Sequence, residues 1–316
     1  MVSGGIAVIG NVNVDLIVSP ASALPPPGTE WRVGSVELRT GGAAANAALT
    51  LAALGTPPRI AGCVGDDRLG RVLLDELSGA GIEGLSVVPD TPTGVSVAFE
   101  APGRDRSFLT SLGALATLDP AHVSPTCLEC GSVLLCGYFL SPGMRGDAAR
   151  QVLGTARDRG ATTLLDVGWD LEDWPDRTRQ EVTDLLPLVD VFLPNEIEAA
   201  ALTGATDPGE AGRRLQRASG GWVLVKLGAA GCLGIGPEGR EIEAEAPRVR
   251  VADTTGAGDA FNAGVLHALA RGRDWEAVLP FATRIASTIV ARPSAGRYAP
   301  FGDQDPPADA RPSPLV

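Results

Sequence analysis

The chain has 316 residues, enough for one large α/β domain with or without a small appendage. Apolar residues make up 44% and charged residues 20%, a globular balance that allows a core of full size without disulfides or metals. The formal net charge is −12 and no Lys/Arg cluster occurs, which argues against a nucleic-acid binder and against a protein attached to an anionic membrane.

The N-terminal segment predicts a buried strand followed by ligand-binding groups. Residues 6–9 form a short β-branched run that ends at Gly10. Residues 11–15 follow at the carboxyl end of this strand, where α/β proteins place ligand-binding side chains. We expect no signal peptide and no membrane span, because the N-terminus lacks a basic region and no apolar run is long enough to cross a bilayer. The cytoplasm is the expected compartment.

A small β-sheet lid is predicted from two stretches, about residues 12–40 and 94–110. In the first stretch, 31–39 alternates partly between apolar and polar residues. In the second, 94–100 and 106–109 alternate and flank a turn-rich segment, a pattern typical of a hairpin. We expect this appendage to lie over the site.

The remaining elements predict a layered α/β domain. In chain order they are a helix at 43–54, a strand at 59–64, a helix at 70–79, strands at 133–136, 162–166, 189–193 and 222–227, and helices near 145–159, 176–186, 196–203, 209–218, 257–271 and 275–291. Apolar strands spaced by helices are typical of a doubly wound, mostly parallel sheet flanked by helices. One domain over 1–302 is expected, and the tail 303–316, rich in Pro, Asp and Ala, is expected to be disordered.

The segment 253–264 is the most informative motif. It reads Asp-Thr-Thr-Gly-Ala-Gly-Asp-Ala-Phe-Asn-Ala-Gly and leads into an apolar helix. Gly256 and Gly258 permit tight turns, and backbone N–H groups at a helix start attract anions. Asp259 lies inside this anion hole. A helix cap is the alternative reading, because Asp is favoured at such positions, but the whole string favours a functional carboxylate.

This segment resembles the C-terminal signature of the ribokinase family, also called PfkB-type carbohydrate kinases. Gly41-Gly-Ala-Ala-Ala-Asn46, with the alanine-rich helix that follows, resembles the N-terminal signature. The resemblance covers about residues 5–300. It implies a ribokinase-like fold and an ATP-dependent transfer of the γ-phosphoryl group to a hydroxyl of a small sugar or sugar derivative, with a lid that excludes water.

The resemblance also assigns the catalytic residues. Asp259 is expected to remove the proton from the attacking hydroxyl. The backbone amides of Gly256, Ala257 and Gly258 are expected to stabilise charge on the transferring phosphoryl group, since positioning and electrostatics dominate phosphoryl transfer.

A magnesium site is expected at Asn195-Glu-Ile-Glu198, which resembles the N-x-x-E motif of the family. Asn195 and Glu198 are three residues apart, so both lie on one helix face and reach one hydrated ion. Magnesium keeps several waters and needs few protein ligands. A helix start with acidic first-turn residues is the alternative.

The nucleotide is expected to contact Asn195, Thr255 and the segment Lys226-Leu-Gly-Ala-Ala-Gly231. This segment resembles the glycine-bearing turn of the family and supplies Gly228 and Gly231. The family commonly has Thr where Lys226 stands, so this lysine either contacts a phosphate or is solvated.

The sugar is expected to bind to Asn13 and Asp15, which resemble the N-x-D pair of the family. A carboxylate accepts from two adjacent hydroxyls, and an amide both donates and accepts. Gly41, Gly42 and Asn46 are expected to complete the sugar rim. A turn at the end of a strand is the alternative, because Asn and Asp are common there.

Departures from the family pattern leave the substrate open. Ribokinase has Lys where this chain has Ala43, and this chain reads Gly-Tyr-Phe-Leu at 137–140, where ribokinase offers an acidic ligand. Asp253 is the candidate ligand for a monovalent cation such as K⁺, although Ser294 replaces the usual glycine of that loop.

Two other functions stay open on the sequence. One is a nucleoside kinase of the same family, in which Tyr138 and Phe139 hold a base together with Trp169 and Trp174. The other is a sugar-binding regulator that is catalytically silent. The expected partners are a small sugar-like substrate and, through the lids, a second copy of the chain; nucleic acid and membrane are not expected.

Overall fold

The computed structural model describes residues 3–21, 23–101 and 107–302. The tail 303–316, which the sequence predicts to be disordered, lies outside the described residues.

The secondary structure alternates between strands and helices along most of the chain. The strands are β1 (Ser3–Gly10), β2 (Asn13–Ser19), β3 (Ser35–Gly41), β4 (Arg59–Ala61), β5 (Cys63–Gly65), β6 (Ser86–Val88), β7 (Val95–Phe99), β8 (Ser107–Ser111), β9 (Cys130–Cys136), β10 (Thr162–Asp166), β11 (Val191–Phe192), β12 (Trp222–Lys226), β13 (Cys232–Ile235) and β14 (Glu241–Ala244). The helices are α1 (Ala43–Ala53), α2 (Arg68–Gly79), α3 (Pro125–Leu128), α4 (Asp147–Asp158), α5 (Asp176–Thr183), α6 (Glu196–Thr203), α7 (Pro208–Ser219), α8 (Ala257–Ala270) and α9 (Trp275–Ala291). None of these described helices is both long enough and apolar enough to cross a bilayer.

The main sheet has the strand order β14-β13-β12-β11-β10-β9-β1-β4. From β12 to β4 all neighbours are parallel, which confirms the predicted doubly wound, mostly parallel sheet. At the other edge β13 and β14 pair antiparallel, and the sequence did not predict them. They are short hairpin strands, so they lack the long apolar run that marks the parallel strands.

Helices cover both faces of the main sheet because successive strand residues point to opposite sides. In β9, Leu134 packs with α1, α8 and α9, whereas Leu135 packs with α4 and α7. The pair α8 and α9 is held close by Gly264, since a Cβ there would lie 2.7 Å from the Cα of Ala282. The last glycine of the 253–264 motif therefore serves helix packing.

A separate four-stranded sheet, here called the small sheet, has the order β3-β2-β7-β8. The predicted hairpin is present as β7 and β8. Asn13 and Asp15 belong to β2 in this sheet, within the stretch 12–40 predicted to form the lid, so the alternative reading of them as a turn at a strand end is wrong. The predicted strand at 59–64 is divided at Gly62, so that β4 joins the main sheet while β5 pairs with β6.

Candidate active site

The candidate site lies where the parallel strands of the main sheet end. Asn11 follows β1, Asp166 ends β10 and Lys226 ends β12. Asn195 follows β11 and caps α6. Carboxyl ends of parallel strands meet at one edge, and the crevice outside them is where open α/β sheets bind ligands.

A row of buried hydrogen bonds joins Asn11, Asn13 and Asp15. Asn11 Nδ2 donates to Asn13 Oδ1 at 3.2 Å, and Asn13 Nδ2 donates to Asp15 Oδ1 at 2.7 Å. Two glycines make room for this row. A Cβ at Gly41 would lie 2.2 Å from the carboxylate carbon of Asp15, and one at Gly42 would lie 2.3 Å from the carbonyl oxygen of Asn11. Gly41 therefore supports Asp15 from behind, while Gly42 lines the cavity.

Asp259 lies in the first turn of α8 and is held by Asn46. Asn46 Nδ2 donates to Asp259 Oδ2 at 2.9 Å, and Asn46 Oδ1 accepts from the hydroxyl of Tyr298 at 2.9 Å. Burial and the negative charge of Asp166 raise the pKa of Asp259 to about 7, although the hydrogen bond from Asn46 opposes that rise. A carboxylate with this pKa can both hold and release a proton near neutral pH.

Asp166 is a site residue that sequence reasoning missed. Its carboxylate accepts from Lys226 Nζ at 2.7 Å, from Asn262 Nδ2, and from the amide of Gly168 at 3.1 Å. Burial lowers the pKa of Lys226, but the charges of Asp166 and Glu198 outweigh burial and raise it. Lys226 is therefore a paired, charged lysine that lines the cavity, not a solvated one.

Asn195 and Glu198 form a reciprocal capping box at the start of α6. Glu198 N donates to Asn195 Oδ1 at 2.8 Å, while the backbone N and Nδ2 of Asn195 both donate to the Glu198 carboxylate at 2.9 Å. Burial and the charge of Asp166 raise the pKa of Glu198 to about 7. Asn195 and Glu198 therefore do form a helix start, and the Glu198 carboxylate also faces the cavity.

The donor set fits a hydrated divalent cation. Asp166, Glu198 and Asp259 all line one cavity, and burial together with like charge raises the pKa of Glu198 and Asp259. Within the described residues no three acidic, His or Cys groups are close enough to chelate a bare ion. A magnesium ion, which keeps several of its waters, suits such spacing.

The start of α8 leaves amide groups available to an anion. Its N-cap is Gly256 at φ 73°, and no side chain caps this turn. The amide of Ala257 donates to the carbonyl of Thr254 at 3.2 Å, so this member of the predicted anion hole already has an acceptor. Gly256 and Gly258 line the larger cavity described next.

Two cavities meet at this helix start. The larger, about 720 Å³, holds Asn13, Asp15, Glu198 and Asp259 in its lining. The second, about 430 Å³, is bordered by apolar side chains of Val249, Val251, Phe261, Ala286 and Val290. The two cavities share Lys226, Gly228 and Gly258. A flat apolar group in the second cavity can therefore carry a charged tail to the edge of the first.

The glycine turn after β12 forms a wall of the second cavity. Gly228 adopts φ 56° and Gly231 φ 105°, a region that side chains disfavour. A Cβ at Gly231 would lie 1.9 Å from the carbonyl oxygen of Ala244, so this turn requires glycine.

Aromatic residues line part of the larger cavity. Phe139 and the half-exposed Trp169 face it, together with Phe108 of the small sheet. Tyr138 is fully buried and donates to Glu181, so it belongs to the core. Trp174 is also buried and contacts the edges of the Phe139 and Trp169 rings.

Asp253, the candidate cation ligand, is held by two arginines. Its Oδ2 lies 2.5 Å from Arg39 Nη1 and 2.6 Å from Arg297 Nη2. Arg297 Nη1 also donates to the carbonyl of Thr255 at 2.7 Å, and Thr255 N donates to Asp253 Oδ1 at 2.8 Å. No sequence pattern marked Arg39, Arg297 or Tyr298, because each reaches the site from a distant segment.

Comparison with known proteins finds relatives over most of the chain. Residues 4–301 match the model of the pfkB family carbohydrate kinase. The aminoimidazole riboside kinase of Salmonella typhimurium is 30% identical over 313 residues, 94% of this chain and 92% of that enzyme. The structure of Arabidopsis thaliana ribokinase complexed with ribose and ATP superposes with a TM-score of 0.79 at 28% identity, covering 95% of this chain and 100% of that one. A putative ribokinase II from E. coli, in complex with ATP and Mg²⁺, gives 0.80 at 25% identity, covering 93% and 95%.

Proposed function

The chain belongs to the pfkB family of carbohydrate kinases, and we propose that it transfers the γ-phosphoryl group of ATP to a hydroxyl of a small sugar or sugar derivative. The observation that carries this proposal is the position of Asp259. It lines the larger cavity beside Gly258, which also lines the second cavity. A hydroxyl in the larger cavity and a phosphate at the second would thus meet beside a carboxylate whose pKa is about 7.

Asp259 acts as the general base in this proposal. The O–H bond of the substrate breaks and its proton passes to the Asp259 carboxylate. The oxygen forms a bond to the γ-phosphorus, and the bond to the β-phosphate oxygen of ADP breaks. Asn46 donates to one carboxylate oxygen and so fixes the direction of the other. A base with a pKa near the working pH combines sufficient ionised fraction with sufficient basicity.

The start of α8 and Lys226 stabilise the transferring group. Backbone amides of Gly256 and Gly258 point from an uncapped helix end, where the dipole favours anions. The amide of Ala257 contributes only if its hydrogen bond to the carbonyl of Thr254 breaks. Lys226, held by Asp166, places a positive charge between the cavities.

The second cavity receives the adenine and ribose of ATP. Its apolar side chains suit a flat base, and the turn with Gly228 and Gly231 lets the nucleotide approach the backbone closely. Thr255 lies at the phosphate end, in the larger cavity. Magnesium would be held through water by Glu198 and Asn195, and it would neutralise phosphate charge.

Asn13 and Asp15 bind the sugar hydroxyls. Their hydrogen-bonded row lies on the face of the small sheet that lines the larger cavity, together with Ser96 and Thr110. The small sheet then acts as a lid that covers the substrate and excludes water.

One assay tests the proposal. Purified protein, ATP and Mg²⁺ are combined with pentoses, hexoses, sugar acids, sugar phosphates and nucleosides, and ADP release is followed with a coupled enzyme. Release that depends on one of these acceptors supports a kinase. Binding of a sugar without any ADP release, at full ATP occupancy, would instead identify a catalytically silent regulator.

A nucleoside is the second candidate substrate. Phe139, Trp169 and Phe108 give the larger cavity an aromatic lining that a simple pentose does not need. Such rings stack on a base or another flat substituent attached to the sugar. Turnover with nucleosides and not with free sugars in the same panel would select this candidate.

We also infer a homodimer formed through the small sheet. Its face opposite the cavity carries an apolar row across four strands, because Leu38 pairs with Leu16, Leu16 with Val97, and Val97 with Leu109. Leu38 and Leu109 are 50% and 57% exposed. A contiguous exposed apolar face favours association, and a second copy would present the same face.

A further inference from the structure

The loop before α8 is contacted by a cation that is part of the chain, the side chain of Arg297, which follows α9. Arg297 is 7% exposed in its side chain and bridges two oxygens of that loop. Its Nη2 lies 2.6 Å from Asp253 Oδ2, and its Nη1 donates to Thr255 O at 2.7 Å.

A carboxylate and a backbone carbonyl are the hard oxygen donors that a monovalent metal ion would use. In this structure one guanidinium takes both of them. A guanidinium keeps its charge throughout the working pH range, and here its Nη1 hydrogen-bonds the carbonyl of Thr255 while its Nη2 forms an ion pair with Asp253. A metal ion at Asp253 and Thr255 would have to break a buried ion pair, which is costly. The residues therefore do not fit a bound K⁺.

Arg39, Arg297, Glu37 and Asp253 form a charged cluster, and the balance of its charges also argues against a bound metal ion. Arg39 of the small sheet lies 2.5 Å from Asp253 and 2.6 Å from Glu37. Arg39 and Arg297 together carry two positive charges, and Glu37 and Asp253 carry two negative ones. These four side chains balance without an added ion, whereas a metal cation would leave a positive excess.

The position of the cluster connects it to catalysis. Asp253 accepts from the amide of Thr255 at 2.8 Å, and Thr255 precedes Gly256, the N-cap of α8. The side chain of Arg297 therefore fixes the loop from which the anion hole and Asp259 begin. Arg297 is followed by Tyr298, which holds Asn46 against Asp259.

We propose that Arg297 supplies the positive charge that a monovalent metal ion would otherwise bring to this loop, so that phosphoryl transfer by this chain needs no K⁺ or Na⁺. Arg297 is a positioning residue, since it acts through Asp253 and Thr255 on the start of α8. The proposal rests on the kinase function proposed above, and the test includes a measurement that does not depend on turnover.

The test compares K⁺, Na⁺ and tetramethylammonium chloride at one ionic strength, with ATP and Mg²⁺ prepared free of alkali metals. ADP release and the thermal melt of the substrate-free protein are measured in each salt. The wild-type chain is expected to turn over within about twofold, and to melt at the same temperature, in all three. Arg297→Gly, which opens the space, is expected to lose about tenfold or more in kcat in tetramethylammonium, less than the loss of a direct oxyanion donor. K⁺, or millimolar guanidinium, is expected to restore its turnover and raise its melting temperature.

Two further variants separate charge from structure. Arg297→Lys keeps a positive charge and is expected to stay insensitive to the salt in both measurements. Arg213→Gly removes an exposed arginine that pairs with Glu241 at 2.9 Å, and its turnover and melt should be as insensitive to the salt as those of the wild type.

Either of two results would overturn the proposal. Activation of the wild-type chain by K⁺ beyond about threefold, or a wild-type melt that rises specifically in K⁺, would show that the loop binds the metal. The proposal also fails if folded Arg297→Gly shows no response to K⁺ or guanidinium in either measurement. If Arg297→Gly does not fold, the wild-type and Arg297→Lys comparisons decide. If no acceptor gives ADP release, the proposed kinase function is wrong. The thermal melts then still show whether the loop binds a monovalent cation.

Discussion

Asn46 donates to Asp259 across 213 residues of sequence, at 2.9 Å, and so joins the two glycine-rich segments of the chain. The same amide accepts from Tyr298 on its other side. The hydrogen bond to its oxygen opposes rotation of this amide and keeps its nitrogen directed at the carboxylate. Tyr298 thereby controls how Asp259 is stabilised without contacting it.

The first prediction concerns Tyr298→Phe. Loss of the hydroxyl frees the Asn46 amide and weakens its bond to Asp259, a bond that lowers the pKa of this carboxyl. The pKa should rise above about 7, and the acidic limb of the kcat profile should move to higher pH. We expect kcat at pH 7 to fall a few-fold and to recover at pH 8.5. Tyr138→Phe, which removes a hydroxyl bonded to Glu181 in the core, is the matched control. An unmoved acidic limb would show that Tyr298 has no influence on the base.

Local sequence patterns predicted the alternating parallel strands and helices of the main domain. The parallel strands were found because each is a short apolar run between helices, and α6 and α9 were predicted with their observed bounds. The division of 59–64 between two sheets was missed, because Gly62 interrupts the pairing without interrupting the apolar run. Antiparallel β13 and β14 were missed for want of a long apolar segment.

The candidate site was predictable only where one segment carries the pattern. Asp259 and Asn46 lie in recognisable strings, and the structure places both at one cavity. Asp166 is a single carboxylate at a strand end, and only the fold pairs it with Lys226. Arg297 reaches Asp253 by tertiary contact, and nothing in its own neighbourhood signals an ion pair.

The second prediction is that Asp15→Ala weakens sugar binding and leaves nucleotide binding intact. The carboxylate lies in the lining of the larger cavity and takes no part in the lining of the second. Loss of its hydrogen bonds to buried hydroxyls should cost about 1–3 kcal/mol, or roughly fivefold to 150-fold in the sugar dissociation constant. Calorimetry with each ligand measures both effects. An unchanged sugar affinity, with weakened ATP, would reverse the assignment of the two cavities.

The third prediction is that Glu198→Gln raises the magnesium concentration needed for half-maximal rate. Gln also serves in a capping box, so α6 should be preserved, and the thermal melt near pH 4, where the Glu198 carboxyl is protonated in the folded chain, should match that of the parent. The charge that would hold a hydrated ion is lost, and its loss should matter most at pH 8, above the pKa of about 7. Glu210→Gln, in the first turn of α7 and away from the cavity, provides the control. A magnesium titration that coincides with that of the parent would leave Glu198 with its cap role alone.

The fourth prediction is that Leu38→Glu gives a monomer. It places a charge in the middle of the apolar row of the small sheet, where a second copy would bury it. Light scattering on a sizing column should report half the mass of the wild-type chain. Val72→Glu, at a 44% exposed apolar residue of α2, should leave the mass unchanged. A wild-type chain that is monomeric at micromolar concentration would refute the interface.

The fifth prediction is that Asp259→Asn abolishes most turnover and keeps both ligand sites. Asn is nearly the same shape, but it cannot take the hydroxyl proton, so kcat should fall about 10²- to 10⁴-fold. Neither dissociation constant should weaken. ATP should bind slightly more tightly, because a negative charge beside the γ-phosphate is removed. A variant within about threefold of the parent, far below that general-base contribution, would rule out Asp259 as the base.

The same variant should show a pH-dependent gain in stability. The pKa of Asp259 is raised from 3.8 to about 7 on folding, so the folded chain retains the proton that the unfolded chain releases. The stability linked to this group is therefore complete below pH 3.8 and is lost as the pH rises to about 7, when the buried carboxylate ionises. Asn stays neutral throughout. Its melting temperature should match that of the parent near pH 4 and exceed it at pH 8. Equal melting temperatures at pH 8 would mean that Asp259 ionises in the folded chain without cost, which contradicts its raised pKa.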